Sequence, residues 1–252
     1  IAEWLSKELT NADSKEVGVD GSTHTVADIR QLKDERRQQG GLTLRTNFDV
    51  LQRIWKERPE MPLDTIMLHP IELAGETTQE KLSRIRKALR EVHADGMLMS
   101  QLDDIAWTLN LRGRDVHCCP VFVSYLLIGS HHTTLFVDER KLTAEIENYL
   151  SEQNIAIKPY EAVSDALNKW GEWNILIDPN EINETLARQV KANEIINKPS
   201  PVAAMKAVKN ETEIQGMRNA MLKDGIALVK WLQWLNPAVR AGGQTEISIS
   251  KS

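Results

Sequence analysis

The sequence predicts an α/β fold, a mixed sheet flanked by helices. Three observations carry that reading. Amphipathic segments of helical period alternate with short apolar runs of strand length. One long uncharged run, Cys118–Ile128, turns at Gly129–His132 and returns over Thr133–Val137, which reads as an antiparallel hairpin. Its arms carry no charge on either face, so the hairpin belongs in the middle of a sheet covered on both sides. Helices between the remaining strands supply crossovers, so parallel pairs join the antiparallel one.

The elements follow in order. Glu3–Leu9 is a helical fragment, and Val17–Val19 is a short buried strand ending at Asp20. Thr25–Gln38 reads as a charged surface helix with Val26, Ile29 and Leu32 on one face. Gly40-Gly41 stops it, and Leu42–Arg45 is the next strand. Asp49–Trp55 is a short helix, and Arg58–Pro62 is a proline-rich link. Thr77-x-x-Glu80 is a capping box, and Leu82, Ile85, Leu89 and Val92 follow at helical spacing. Gly96 ends that helix, Met97–Met99 is a buried strand, and Asp103–Leu109 is a short helix carrying Trp107.

Beyond the hairpin, a helix capped by Asp138 carries Leu142, Ile146 and Leu150, and Ile155–Ile157 is the strand after it. A helix over Ala162–Trp170 leads into strand Asn174–Ile177, and Asp178-Pro179 reads as the cap and first position of another helix. Lys198–Pro201 is a second linker. Asn210-x-x-Glu213 opens a long helix whose apolar stripe is Ile214, Met217, Met221, Leu228, Leu232 and Leu235, with Pro237 as its expected stop. Gly242-Gly243 marks a turn and Thr245–Ile247 the first turn of a new helix. That pattern, with a start at Ile1, leads us to expect a piece of a longer protein.

Composition narrows the function classes. The 252 residues are 41% hydrophobic and 27% charged, which excludes a disordered, collagen-like or coiled-coil chain. No apolar run is long enough for a transmembrane helix, so no membrane partner is expected. A net charge of -5 argues against nucleic acid as a partner. The two cysteines, Cys118 and Cys119, are adjacent. In a strand they would point to opposite faces, so we expect no disulfide framework and a reducing compartment.

Catalytic signatures are sparse. Neither G-x-G-x-x-G nor a P-loop occurs, and Gly21-Ser22-Thr23 reads as a plain turn. His117, Cys118, Cys119, His131 and His132 are zinc-ligand types. At about 3.3 Å per residue, however, a strand would hold the two groups far apart, so no shared metal is expected. No nucleophile motif is present, and no histidine follows His132. Asp103-Asp104 reads as helix capping rather than an acid–base pair. Arg112-Gly113-Arg114-Asp115 is a charged knot beside Trp107. It admits two readings. Either Arg112 or Arg114 pairs with Asp115 to organise a loop, or Trp107, Arg112, Arg114 and Asp115 form a contact surface for another domain. No residue is assigned as catalytic or metal-binding.

The run Asp103–Gly113, followed by Pro120–Tyr125, resembles the second domain of aminopeptidase P (Xaa-Pro aminopeptidase) of the three-domain cytosolic type. Ile54–Pro59, Lys206–Asn210 with Glu213 and Gly216–Arg218, and Gly242-Gly243 with Thr245–Ser248 resemble its flanking segments in the same order. The family usually has Ser where this chain has Arg114. The resemblance implies creatinase/prolidase N-terminal-type domains, one partial (residues 1–62) and one complete (63–200). Residues 201–252 would then open a truncated pita-bread catalytic domain. It further implies that the parent removes the N-terminal residue from peptides with Pro in second position. The parent would use two divalent metals, usually manganese, held by two Asp, one His and two Glu. None of those ligands matches a position here, so we expect no cofactor in this chain and no activity from it alone. Its expected partners are the catalytic domain of the same protein, the peptide substrate and a second subunit in a homodimer, in the cytoplasm. The partial first domain is expected to expose a sheet edge and to favour association. The rival expectations are a naturally short, non-enzymatic binding relative and a creatinase- or prolidase-like activity on the shared fold.

Overall fold

The computed structural model describes residues 2–9, 16–38, 43–49 and 51–250. The chain divides into two compact units, residues 1–69 with 77–207, and residues 70–76 with 208–252. The first unit opens with helix α1 (Ala2–Glu8), strand β1 (Glu16–Gly18), helix α2 (Val26–Gln38), strand β2 (Thr43–Arg45), helix α3 (Leu51–Ile54) and strand β3 (Met67–Leu68). Helix α4 (Ile71–Ala74) belongs to the second unit. The first unit resumes with α5 (Thr78–Glu91), β4 (Gly96–Met99), α6 (Leu102–Leu109), β5 (Leu111–Arg112), β6 (Tyr125–Gly129) and β7 (Thr133–Phe136). Then come α7 (Ala144–Glu152), β8 (Ile155–Lys158), α8 (Val163–Leu167), β9 (Asn174–Ile177), α9 (Glu184–Ala187), β10 (Glu194–Asn197) and α10 (Pro201–Ala207). The second unit closes with α11 (Glu211–Ala241) and α12 (Glu246–Ile249).

Six strands form the central sheet in the order β10-β9-β4-β6-β7-β8. Antiparallel pairing joins β6 to β4 and to β7, while the other neighbours are parallel. Strand β6 thus runs against the other five. Two further sheets of two strands each pair β1 with β2 in parallel and β3 with β5 antiparallel.

Strand periodicity builds two cores. Leu126 and Ile128 point into one cluster and Leu127 into the other; Met97 and Met99 likewise oppose Leu98. Helices α5, α6 and α7 cover the first face through Leu82, Ile85, Leu89, Ile105, Leu109, Ile146 and Leu150. Helices α2, α8 and α9 cover the second through Val26, Val163, Leu167 and Leu186. Each such side chain, fully buried, contributes about 2 kcal/mol. The N-terminal segment is tied to this face by backbone bonds, Val26 N–H to Ile182 O at 3.1 Å and Thr185 N–H to Gly21 O at 3.1 Å.

Both capping boxes form. Thr77 accepts from the Glu80 amide and Asn210 from the Glu213 amide, and each glutamate returns the bond to the cap's own amide.

Several expectations are corrected. The first hairpin arm begins at Tyr125, not Cys118. Residues 113–123 form a loop instead, closed by Gly113 N–H to Pro120 O and Asp115 N–H to Val121 O, and Pro120 has no amide to give a ladder. The cysteines therefore sit in a turn, not a strand. Asp138 caps a short 3-10 turn, Glu139–Lys141, and Thr143 caps α7. Asp178 starts no helix: one carboxylate oxygen accepts from the Asn180 amide and the other from the Ser200 amide, and α9 begins after Asn183. Pro237 lies inside α11, which runs on to Ala241, because a proline removes one helical bond without barring later turns. Asp103 and Asp104 lie in the first turn of α6, whose cap position is Gln101. The expected stop at Gly40-Gly41 and strand start at Leu42 lie outside the described residues.

Candidate functional site

The charged knot read from the sequence becomes a loop with a groove beside it. Arg112, on β5, donates from Nη1 to Ala106 O at 3.0 Å and to Leu111 O at 2.9 Å. Gly113 follows because a Cβ there would lie 2.7 Å from both Phe122 Cβ and Val121 O. Arg114 is exposed and forms no hydrogen bond or ion pair among the described residues.

Asp115 turns inward. Its Oδ2 accepts from the Val123 amide at 2.6 Å and from Lys141 Nζ. The two side chains are 0% and 2% exposed, so this is a buried ion pair. The expected pairing of Arg112 or Arg114 with Asp115 is thereby corrected. Lys141 reaches Asp115 from the 3-10 turn that Asp138 caps, and hydrogen bonds from the Arg140 side chain and amide hold the Asp138 carboxyl down at about 2. Asp115 Oδ1 has no hydrogen-bond partner. A buried pair of this kind adds little net stability, yet removing one partner costs about 3–5 kcal/mol.

Trp107 is 7% exposed and lies under the Lys81 ammonium, which stands 4.2 Å from the ring centroid. Lys81 Nζ also donates to Trp107 O at 2.9 Å and to Asn110 Oδ1 at 2.7 Å. Of the residues read together from the sequence, Arg112 and Arg114 line the groove, whereas Asp115 and Trp107 are not among its lining residues.

The groove has a volume of about 530 Å³ and is lined by Met67, Arg112, Gly113, Arg114 and the turn 116–120. The turn is closed by Cys119 N–H to Val116 O at 3.1 Å, with Cys118 at φ 59°. No carboxylate is among the lining residues, so the surface is basic and apolar.

A second charged cluster was missed in the sequence. Lys206 Nζ, from α10, lies between Asp103 Oδ2 and Asp104 Oδ1. Glu181 and Asp178 complete the cluster, beyond the carboxyl ends of β4 and β9, where parallel sheets commonly place their sites. Burial raises the Asp104 carboxyl, and Asp104 Oδ2 has no hydrogen-bond partner. Burial, then the charges of Asp178, Asp104 and Asp103, push Glu181 up to about 7. Lys206 stands about a hundred positions from its aspartates, so no local pattern announces the pairing.

His131 and His132 sit at the hairpin turn, where the His132 ring packs 5.2 Å from Trp173. Burial and the nearby Arg86 charge lower its pKa. Among the described residues no group of three or more His, Cys, Asp or Glu is arranged to hold a metal ion.

Residues 57–213, which include β3 and the loop with its groove, match the family model for the creatinase/prolidase N-terminal domain. The chain belongs to this family. Curated relatives extend the likeness to either side of those residues. The chain is 33% identical over 246 residues to a probable Xaa-Pro aminopeptidase P of Leptosphaeria maculans, covering 93% of this chain and 40% of that one. It is 34% identical over 252 residues to a probable Xaa-Pro aminopeptidase P of Ajellomyces dermatitidis, with 92% and 40% covered. A crystal structure of X-prolyl aminopeptidase from Caenorhabditis elegans, described as a cytosolic enzyme with a di-nuclear active site, superposes with a TM-score of 0.88 at 26% identity. That match covers 100% of this chain and 42% of the nematode enzyme. The chain therefore spans about 40% of the length of the curated relatives it matches.

Proposed function

We propose that this chain is the non-catalytic N-terminal and middle portion of a metal-dependent Xaa-Pro aminopeptidase, and that it scaffolds a catalytic portion. The surface of α11 carries the reading. This helix of 31 residues has no buried residue, and Met217, Met221, Leu222, Leu228, Val229 and Leu232 are all exposed. An apolar surface of that extent calls for cover by further protein. The length of the relatives supports the reading, since the match leaves more than half of each of them unspanned.

In this reading residues 201–252 begin a pita-bread domain, and the substrate peptide and a pair of divalent metals, manganese first, belong to that domain. The donor sets among the described residues do not fit such a metal pair, so no step of metal chemistry is assigned to them. The family resemblance adds a cytoplasmic setting and a homodimer. No helix among the described residues is long and apolar enough to cross a membrane.

The test is release of the N-terminal residue from an Xaa-Pro tripeptide with manganese added. The purified chain is expected to release none, and the chain joined to a relative's catalytic portion is expected to turn over. Turnover by the chain alone would sink the non-catalytic part. A joined protein that folds but stays inactive would favour a non-enzymatic binding relative instead.

A further inference from the structure

The loop between β9 and α9, residues 178–183, makes two sets of contacts. Its carbonyls hold the N-terminal segment: Ile182 O accepts from the Val26 amide at 3.1 Å and Pro179 O from the Ala27 amide at 2.8 Å. Its Glu181 side chain meets the charged cluster on α6 and α10. Among the described residues, the charged groups facing Glu181 are Asp178 of its own loop, Asp103 and Asp104 of α6, and Lys206 of α10.

These groups are unequally provided for. The Asp178 carboxylate is met by the Asn180 and Ser200 amides. The single Lys206 ammonium is shared by Asp103 and Asp104. Asp104, 2% exposed, still has one buried oxygen without a hydrogen-bond partner. The Glu181 carboxyl has no hydrogen bond or ion pair among the described residues. Three carboxylates thus already face one ammonium. Ionising Glu181 would add a fourth in a half-buried place, where like charges favour keeping the proton.

We propose that Glu181 is a proton-operated clasp for the N-terminal segment. Protonated, it lets the loop 178–183 stay against α6. Ionised, it is repelled by Asp103, Asp104 and Asp178, and the loop loosens its hold on Val26 and Ala27. Burial and the same carboxylates raise its pKa to about 7, so the clasp fastens below that pH and loosens above it. The clasp stands apart from the aminopeptidase reading, because none of its residues is assigned to substrate or metal.

The test is amide hydrogen exchange, corrected for the intrinsic effect of pH on exchange. Between about pH 6 and about pH 8, protection of the Val26 and Ala27 amides is expected to fall about threefold. Leu126 and Leu127 in the central sheet should keep theirs. In Glu181→Gln, which stays neutral, Val26 and Ala27 should hold the same protection at both pH values. Asp103→Asn removes one facing charge and leaves Asp104 on Lys206, so it should move the fall to lower pH without abolishing it. Protection independent of pH in the parent chain would overturn the proposal. So would an equal fall in Glu181→Gln, a fall shared by Leu126 and Leu127, or a transition that Asp103→Asn leaves in place.

Discussion

Helices α5 and α11 begin in the same way and end in different environments. Each opens with a capping box, from Thr77 and from Asn210. Each carries an apolar stripe at helical spacing. Yet α5 buries Leu82, Ile85 and Leu89, with Lys81 folded over Trp107, while no residue of α11 is buried. A cap decides where a helix starts, because it satisfies amides within one turn. It says nothing about what the stripe will meet. That depends on strands brought in from elsewhere in the chain, or on protein beyond it.

The largest expected difference lies in the stripes. Ile85→Ala should cost about 3 kcal/mol, because a cavity opens between α5 and the sheet. Leu228→Ala on α11, where the side chain is 52% exposed, should stay within about 0.5 kcal/mol. Urea unfolding of the two variants reads both values. Equal losses would mean that α11 is packed in solution, and the contrast would fail. The same Leu228→Ala change in a protein carrying a catalytic portion should become costly if that portion covers the stripe.

The caps should not differ. Thr77→Ala and Asn210→Ala are each expected to cost about 1 kcal/mol, seen as faster amide exchange in the first turn of the helix concerned. A large loss for Thr77 alone would show that the cap also steers packing.

The smallest effect is expected from pH. The Glu181 carboxyl is raised from 4.5 to about 7 in the folded chain. The folded state therefore holds that proton more tightly than the unfolded state. Stability should be highest below about 4.5 on this account and fall as pH rises to about 7. Solvent screening should keep the loss below about 1 kcal/mol. Glu181→Gln should flatten that part of the profile, and an unchanged slope would assign it to other groups.

Much of the fold was legible because its signals are local. Thr77, Asn210 and Asn174–Ile177 announce their elements through residues at most a turn away. The misreadings came where a local signal had a second use. Asp178 offers a cap, but its carboxylate is taken by the Ser200 amide across the structure. The uncharged run from Cys118 looks like a strand, but the loop that receives Pro120 and surrounds Asp115 also needs apolar residues, Val121 and Phe122, which are buried. Strands β3 and β5 have two residues each, too few to show a period. At the site, Arg112 and Arg114 could be picked out from charge beside a buried run. The true partner of Asp115 could not, since Lys141 arrives from the far side of the hairpin and is itself 1% exposed.

The reversed direction of β6 has a consequence for the order of assembly. The β6–β7 pair is closed by three residues, whereas β4 must find β9 across the whole stretch from Met99 to Asn174. Short loops lose less chain entropy on closure, and distant pairings slow folding. The hairpin should therefore nucleate the sheet, with β9 and β10 joining last. Pulse-labelled amides at Leu126–Ile128 are expected to gain protection before those at Ile175–Ile177; the reverse order would place the nucleus in the parallel half. A chain emerging from the ribosome would then hold its most apolar strands paired before the rest of the sheet exists to cover them.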